Sequence, residues 1–316
     1  MRPFKSRISI ATISVKTYLK RGAMVIAISG LSFSPVSAQL VSETLDITYY
    51  EGTDMNAEKH RLDLIMPAEQ PIIATMLWIH GGAWAFGDRK DDLEIARAFA
   101  REGVAVAVMS YRLSRGDWKG EDFPSTGIQH PEHIKDVARA FAWLHENADN
   151  YGLHKSKLLV SGFSAGGHLS ALLAMDDRYL SAHNLSPSDV LAAIPVAGGY
   201  DLEAYYLAIE NGIGEDIATG HVLGVFGPRE GLPDASPISY LETASVPMLV
   251  LTEGETAAYT RTLEHAVRDV GRADLIRFSY YNKETHASLL ANLSRDESPA
   301  REEMLNYITS LVKTEN

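Results

Sequence analysis

The chain has 316 residues, a formal net charge of −12, 46% hydrophobic residues and no cysteine. The missing cysteine excludes disulfides and a lipid-modified N-terminal cysteine. The acidic balance argues against nucleic acid or an anionic membrane as a partner, because the interaction with phosphate groups would be repulsive. We therefore expect a protein that acts on neutral or cationic small molecules, while composition leaves the oligomeric state open.

The first 38 residues have the pattern of an export signal. A basic head without acidic residues precedes an apolar stretch over Gly22–Phe33, which is too short to span a bilayer. Small residues at Val36 and Ala38 predict cleavage before Gln39. Cleavage removes six positive charges from −12, which leaves −18. We expect a periplasmic or secreted protein without a stable membrane anchor, and an uncleaved anchor is the alternative.

Residues 39–316 alternate predicted strands and helices. The predicted strands are Thr44–Tyr50, His60–Met66, Ile72–Ile79, Val104–Met109, a run that ends at Val160, Val190–Val196, Met248–Leu251 and Leu275–Tyr281. The predicted helices are Asp91–Glu102, Pro131–Asn147, Ala165–Met175, Ala257–Val270 and Pro299–Lys313. The alternation is typical of an α/β fold.

Most of the predicted strands are continuous apolar runs, which indicates a mostly parallel sheet with helices on both faces. The first two strands alternate apolar and polar residues, as an antiparallel pair would. No linker rich in Pro, Gly or Ser divides residues 39–316, so we expect a single domain. The irregular stretch 203–241 is the expected cap or insertion over the C-terminal edge of the sheet.

The motif Gly-Phe-Ser-Ala-Gly (162–166) follows an apolar strand and precedes a predicted helix. This arrangement is typical of a nucleophile elbow, a sharp turn that exposes Ser164 at the end of a strand. Glycines flank the serine in such turns because larger side chains would clash. The alternative is a glycine-rich turn whose serine only caps the helix.

The loop His-Gly-Gly-Ala-Trp (80–84) follows the strand that ends at Ile79. Adjacent glycines at a strand end let backbone N–H groups approach a ligand closely, as a developing oxyanion requires. We assign oxyanion donation to the N–H of Gly82, with Gly81 or Ala83 as further candidates, together with the N–H of Ala165. The alternative is a tight turn without a catalytic role.

A serine nucleophile needs a base in a neighbouring loop at the same edge of the sheet. Of the eleven histidines, His286 alone follows the last predicted strand. It also completes the chain order of serine, acid and histidine that this architecture uses. His286 is therefore the predicted base, and an exposed loop histidine is the alternative.

The acid that orients the base should follow the predicted strand Met248–Leu251, where the sequence reads Thr-Glu-Gly-Glu-Thr (252–256). No aspartate occurs there, but a glutamate can accept the imidazole N–H in the same way. Glu255 is the first choice and Glu253 the second, followed by Asp201 and Glu284. If none of these reaches the imidazole, the serine and the histidine would act as a slower dyad.

Several motifs occur together in an order typical of one family. They are His-Gly-Gly-Ala-Trp-Ala-Phe-Gly-Asp (80–88), Ser-Tyr-Arg-Leu-Ser (110–114), Gly-Phe-Ser-Ala-Gly-Gly-His-Leu (162–169), Ala-Gly-Gly-Tyr-Asp-Leu (197–202) and Ala-Ser-Pro-Ile (235–238). Over residues 44–312 the chain resembles α/β-hydrolase esterases, and within these the carboxylesterase and kynurenine-formamidase-like branch. The resemblance implies an α/β-hydrolase fold.

The resemblance also implies roles for three acidic residues. In that branch the acid precedes a short helix that carries an aromatic residue and an arginine, and Glu255 followed by Tyr259 and Arg261 is similar to this pattern. Most relatives carry aspartate at the acid, which is a departure in this chain. The resemblance further implies a structural pair between Asp136 and Arg112, and an unreactive supporting role for Asp201.

Other signals are weaker. The pair of histidines in His-Pro-Glu-His (130–133) lacks a third ligand, so no metal and no cofactor is predicted. Aromatic residues in loops or in the stretch 203–241 could line a substrate pocket or simply pack: Trp84, Phe86, Trp118, Phe123, Tyr205, Tyr206 and Phe226. Three cations could bind a substrate carboxylate or be surface charges: Arg115, Lys119 and Arg229.

These residues predict a serine esterase that acts on carboxylic esters of small or medium acyl groups through an acyl-enzyme on Ser164. The partner is a small-molecule ester. Two alternatives remain open. An amidase or arylformamidase would use the same three residues, and a hydrolase fold without activity would serve as a binding protein.

Overall fold

The computed structural model describes residues 41–115 and 127–314. These residues belong to one compact unit, residues 38–316. In the described ranges no helix is both long enough and apolar enough to cross a membrane. The predicted export signal lies outside the described residues, as do Trp118, Lys119 and Phe123.

Eight strands form one sheet with the order β1-β2-β4-β3-β5-β6-β7-β8. The strands are β1 (Val41–Thr48), β2 (Arg61–Pro67), β3 (Ala74–Ile79), β4 (Val104–Met109), β5 (Leu158–Phe163), β6 (Ala193–Val196), β7 (Met248–Glu253) and β8 (Ile276–Tyr281). β1 pairs antiparallel with β2, and β2 pairs antiparallel with β4. All the other pairs are parallel, which confirms the predicted mostly parallel sheet.

The described residues form eleven α-helices: α1 (Leu93–Arg101), α2 (Glu132–Asn147), α3 (Ala165–Met175), α4 (Asp177–Ser181), α5 (Leu202–Gly212), α6 (Glu215–Ala218), α7 (Gly224–Phe226), α8 (Leu232–Ala235), α9 (Ala257–Asp269), α10 (His286–Asn292) and α11 (Pro299–Thr314). The sequence predicted five of the six longest helices, and α5 was missed. The short helices are too brief for a helical period to be read from the sequence.

The central strands β3, β4 and β5 are buried throughout, and since successive side chains of a strand point in opposite directions, these side chains enter two cores. In β3, Leu77 and Ile79 pack in a core with α2, α3 and α9, whereas Met76 and Trp78 pack in a second core with α1 and α11. Two apolar layers explain why the strands are continuous apolar runs. Because helices cover both faces of the sheet, a ligand is expected to bind at the loops that follow the C-terminal ends of the strands.

A buried ion cluster fixes the loop after β4 to α2. Arg112 Nε donates to Asp136 Oδ2 at 2.8 Å, and His60 Nε2 lies 2.9 Å from Asp136 Oδ1. Burial raises the pKa of Asp136, but the hydrogen bonds from His60 and Arg112 bring it below its ordinary value. The structural pair of Asp136 and Arg112 that the resemblance implied is confirmed.

Candidate active site

Ser164 is the single residue between the end of β5 and the start of α3. Its backbone has φ +56° and ψ −113°, a strained conformation for a residue with a side chain. Within the described residues the Ser164 side chain makes no hydrogen bond that caps α3. The geometry therefore matches a nucleophile elbow and disagrees with the alternative of a capping serine.

The elbow is pressed against the end of β3. A Cβ atom added to Gly166 would lie 1.9 Å from the carbonyl oxygen of Ile79, so only glycine fits there. The Ser164 N–H donates to the carbonyl oxygen of Val196 on β6 at 2.8 Å. These contacts hold the serine between the loops that follow β3 and β6.

The loop after β3 contains three consecutive residues with positive φ, Gly82 at +108°, Ala83 at +53° and Trp84 at +58°. A Cβ atom on Gly82 would lie 2.3 Å from the carbonyl oxygen of Phe86, which explains the glycine. The Gly82 carbonyl accepts the N–H groups of Ala85 and Phe86 at 3.0 and 2.8 Å. This tight turn brings the backbone of residues 81–83 to the cavity wall beside Ser164.

The predicted oxyanion donors therefore lie on two adjacent elements. Gly81, Gly82 and Ala83 line one cavity together with Ser164, and Ala165 lines a second one. Ala165 is the first residue of α3, where a helix N–H has no partner within the helix. Backbone N–H groups at these positions suit a negatively charged oxygen on the substrate.

His286 is the first residue of α10, and its ring is held by a buried carboxylate. Its Nδ1 lies 3.0 Å from Glu253 Oε1. Glu253 is fully buried as the last residue of β7, and the Thr256 hydroxyl also donates to its Oε1 at 2.7 Å. Burial raises the pKa of Glu253, but hydrogen bonds from His286, Thr256 and the Glu255 N–H bring it below its ordinary value. Glu253 is therefore an anion at neutral pH.

The first-choice acid, Glu255, does not contact the imidazole ring. Its Oε2 accepts the backbone N–H of His286 at 3.0 Å, and Glu253 occupies the ring position. The predicted strand ends at Leu251, which would leave Glu253 in the loop, but β7 continues through Glu253 because Thr252 and Glu253 pair with β8. The longer strand carries the second-choice acid to the imidazole.

The two other candidate acids have different partners. Asp201 is the N-cap of α5, where its Oδ1 accepts the Ala204 N–H at 3.0 Å. Glu284 accepts a hydrogen bond from the Ser288 hydroxyl at the start of α10. Neither contact involves the imidazole of His286.

Ser164 and His286 together line two cavities. The first has a volume of about 390 Å³ and is lined by Trp84 and Tyr205. The second has a volume of about 530 Å³ and is lined by Phe86, which is 49% exposed. Both volumes are in the range of small-molecule sites. The structure thus brings the three predicted pocket aromatics to the serine.

The stretch 203–241 covers the first cavity. Ile209, Ile213 and Ile217 line it, at a spacing of four residues in the sequence. Only aromatic residues of this stretch were predicted to line a pocket, and these aliphatic ones were missed, although their spacing is a helical signal. His168 Nε2 ties the stretch to α3 by a bond of 2.8 Å to the carbonyl oxygen of Ala235.

The remaining candidates lie apart from the serine. Arg229 forms an ion pair with Glu203, and Arg115 is exposed. His133 Nε2 contacts the Ser114 hydroxyl at 2.9 Å. Over residues 41–115 and 127–314 no three His, Cys, Asp or Glu side chains are grouped so that they could hold a metal ion.

The sheet order and the elbow define an α/β-hydrolase. The sequence profile of the BD-FAE family matches residues 62–259, and the chain belongs to this family.

Solved structures share the fold. Esterase B from Lactobacillus rhamnosis superposes with a TM-score of 0.70 at 20% identity, over 87% of this chain and 88% of that one. A truncated carbohydrate esterase from gut microbiota superposes with a TM-score of 0.67 at 20% identity, over 88% of this chain and 99% of that one. The α/β-hydrolase fold is confirmed.

Similar sequences occur in Mycobacterium tuberculosis. The probable carboxylic ester hydrolase LipM is 29% identical over 200 residues, which cover 60% of this chain and 42% of LipM. Esterase LipQ is 29% identical over 251 residues, which cover 73% of this chain and 54% of LipQ. The chain thus spans about half the length of these relatives. These matches confirm the resemblance to esterases of the α/β-hydrolase fold.

Proposed function

We propose that this protein is a serine hydrolase that cleaves carboxylic esters of small or medium acyl groups. The observation that carries the proposal is the strained elbow at Ser164, which shares two cavities with an imidazole bound to a buried carboxylate. The names of LipM and LipQ, a probable carboxylic ester hydrolase and an esterase, support the choice of an ester as substrate.

In the proposed mechanism Ser164 Oγ attacks the ester carbonyl while His286 takes its proton. Glu253 accepts the Nδ1–H of His286, which leaves Nε2 free of a proton and stabilises the imidazolium that forms. The N–H groups of Gly82 and Ala165 stabilise the oxyanion. His286 then protonates the leaving alcohol, and a water molecule releases the acyl group by the same steps in reverse.

The substitution Ser164→Ala tests the proposal. It removes the nucleophile without adding volume, so we expect the hydrolysis of p-nitrophenyl acetate to be lost, with an unchanged circular dichroism spectrum. A fluorophosphonate probe should label the wild type at Ser164 and leave the variant unlabelled. Retained turnover by the variant would contradict the assignment.

The choice of substrate needs a second comparison, because the same groups could cleave a formanilide. We expect the wild type to hydrolyse simple esters faster than N-formylkynurenine. A faster rate on N-formylkynurenine would favour the arylformamidase alternative. Absence of labelling at Ser164 would favour a binding protein instead.

A further inference from the structure

Glu255 is a second carboxylate on His286, and it contacts the main chain of that residue. Its Oε2 accepts the His286 N–H at 3.0 Å, whereas Glu253 Oε1 lies 3.0 Å from the ring Nδ1. The two carboxylates are also linked, because the Glu255 N–H donates to Glu253 Oε2. His286 is thus held at its backbone by one glutamate and at its ring by the other.

Glu255 faces the substrate side, unlike Glu253. Its side chain is exposed and lines the 390 Å³ cavity together with Ser164, whereas Glu253 is fully buried. Among the described residues that line this cavity there is no lysine and no arginine. Burial lowers the pKa of His221, also in the wall, to about 4, so that this imidazole is neutral at pH 7. Glu255 therefore brings a negative charge to a wall that has no lysine or arginine and whose other histidine, His286, is the base.

We propose that Glu255 positions His286 through its backbone and selects substrates by charge. The part of the ester that enters the 390 Å³ cavity would be neutral or cationic, since a carboxylate there would face Glu255. This inference rests on the proposed function. It assigns to Glu255 a role that differs from that of the acid on the imidazole ring.

The positioning role is tested with Glu255→Ala and Glu255→Gln on a neutral ester. Alanine removes the acceptor for the His286 N–H, whereas the glutamine carbonyl can accept the same hydrogen bond. We expect kcat of the alanine variant to fall about tenfold with little change in KM, because misplacement of the base impairs the chemical step. Glutamine should recover most of this loss. Equal losses in the two variants would overturn the positioning role.

The charge role is tested with esters of equal size that carry an ammonium group, a carboxylate or neither. In Glu255→Gln the ratio of kcat/KM for the cationic ester to that for the anionic one should fall about tenfold at low ionic strength, and the change should shrink in salt. Glu242→Gln is the control, because it removes an exposed carboxylate outside both cavities. A ratio that stays at the wild-type value in Glu255→Gln would overturn charge selection.

Labelling rates separate this inference from the proposed function. Phosphonate probes with neutral, ammonium or carboxylate leaving groups react with an activated serine and need no ester turnover. If the wild type is labelled at Ser164 but hydrolyses no ester, the proposed function fails, and the dependence of labelling on Glu255 still decides the inference. If no probe labels Ser164, both are wrong.

Discussion

Glu253 combines complete burial with a negative charge, which is costly unless the charge is paired. Four donors contact its carboxylate: the imidazole of His286, the hydroxyl and the N–H of Thr256, and the N–H of Glu255. Because these bonds lower the pKa of Glu253, the carboxylate keeps its charge until the pH falls below the ordinary range of a glutamate. A buried acid of this kind can orient the imidazole without competition from water.

We expect Glu253→Gln to lower kcat on p-nitrophenyl acetate by about 10³–10⁴-fold, because the amide no longer fixes the tautomer or balances the imidazolium charge. The matched control is Glu284→Gln, a glutamate in the turn between β8 and α10 whose carboxylate accepts the Ser288 hydroxyl. This control should stay within about threefold of the wild type. A loss below about tenfold in Glu253→Gln would show that another group orients His286.

At the scale of elements, the sequence predicted the long helices other than α5, all eight strands and the order of the catalytic loops. These follow from apolar periodicity and from turn motifs, which are local. The end of β7 was not predictable in the same way. The apolar run stops at Leu251, but the strand continues for two polar residues because Thr252 and Glu253 pair with Tyr280 and Tyr281 of β8. Pairing with a distant strand therefore decided which glutamate reaches His286.

The contact between the elbow and β3 leads to a prediction about stability. We expect Gly166→Ala to lower the free energy of unfolding by about 3 kcal/mol or more, since its Cβ would overlap the Ile79 carbonyl oxygen. Gly212→Ala is the control, because a Cβ at this helical position meets no atom within 4 Å. It should be neutral or stabilise by up to about 1 kcal/mol. Urea unfolding would measure both, and equal stabilities would contradict the steric argument.

At the scale of the whole molecule, the pH dependence of stability contains a contribution from Asp92, which is 4% exposed and accepts the Trp78 Nε1–H at 2.7 Å. Burial raises the pKa of Asp92 from an ordinary 3.8 to about 6. The folded protein therefore holds this proton to a higher pH than the unfolded chain does. Between these two values a rise in pH destabilises the fold, and the full penalty is present above pH 6.

We expect Asp92→Asn to gain stability relative to the wild type as the pH rises, because the amide keeps an acceptor for Trp78 and carries no charge. The shift of about two pKa units corresponds to a gain of up to about 3 kcal/mol at pH 8 compared with pH 4. Urea unfolding of both proteins at the two pH values would measure it. If the difference in the free energy of unfolding between Asp92→Asn and the wild type were the same at pH 4 and pH 8, the raised pKa of Asp92 would not be the cause.

The stretch 203–241 is the part of the site that the sequence described least. Its position over the C-terminal edge was predicted, and its residues do line the 390 Å³ cavity. Its internal path was not predicted, because it consists of short helices fixed by tertiary contacts, such as the bond from His168 to Ala235. Such contacts have no local signature in the sequence.

The two cavities at Ser164 have walls from different parts of the chain. The stretch 203–241 lines only the 390 Å³ cavity, whereas Leu290 and most of the lining residues from the loop 80–92 belong to the other one. An ester whose acid and alcohol halves occupied different cavities would have each half in contact with a different set of residues. Mutations in one wall can therefore change the preference for one half alone. Descendants of this chain could acquire new acyl or alcohol specificities separately, each without disturbing the catalytic residues.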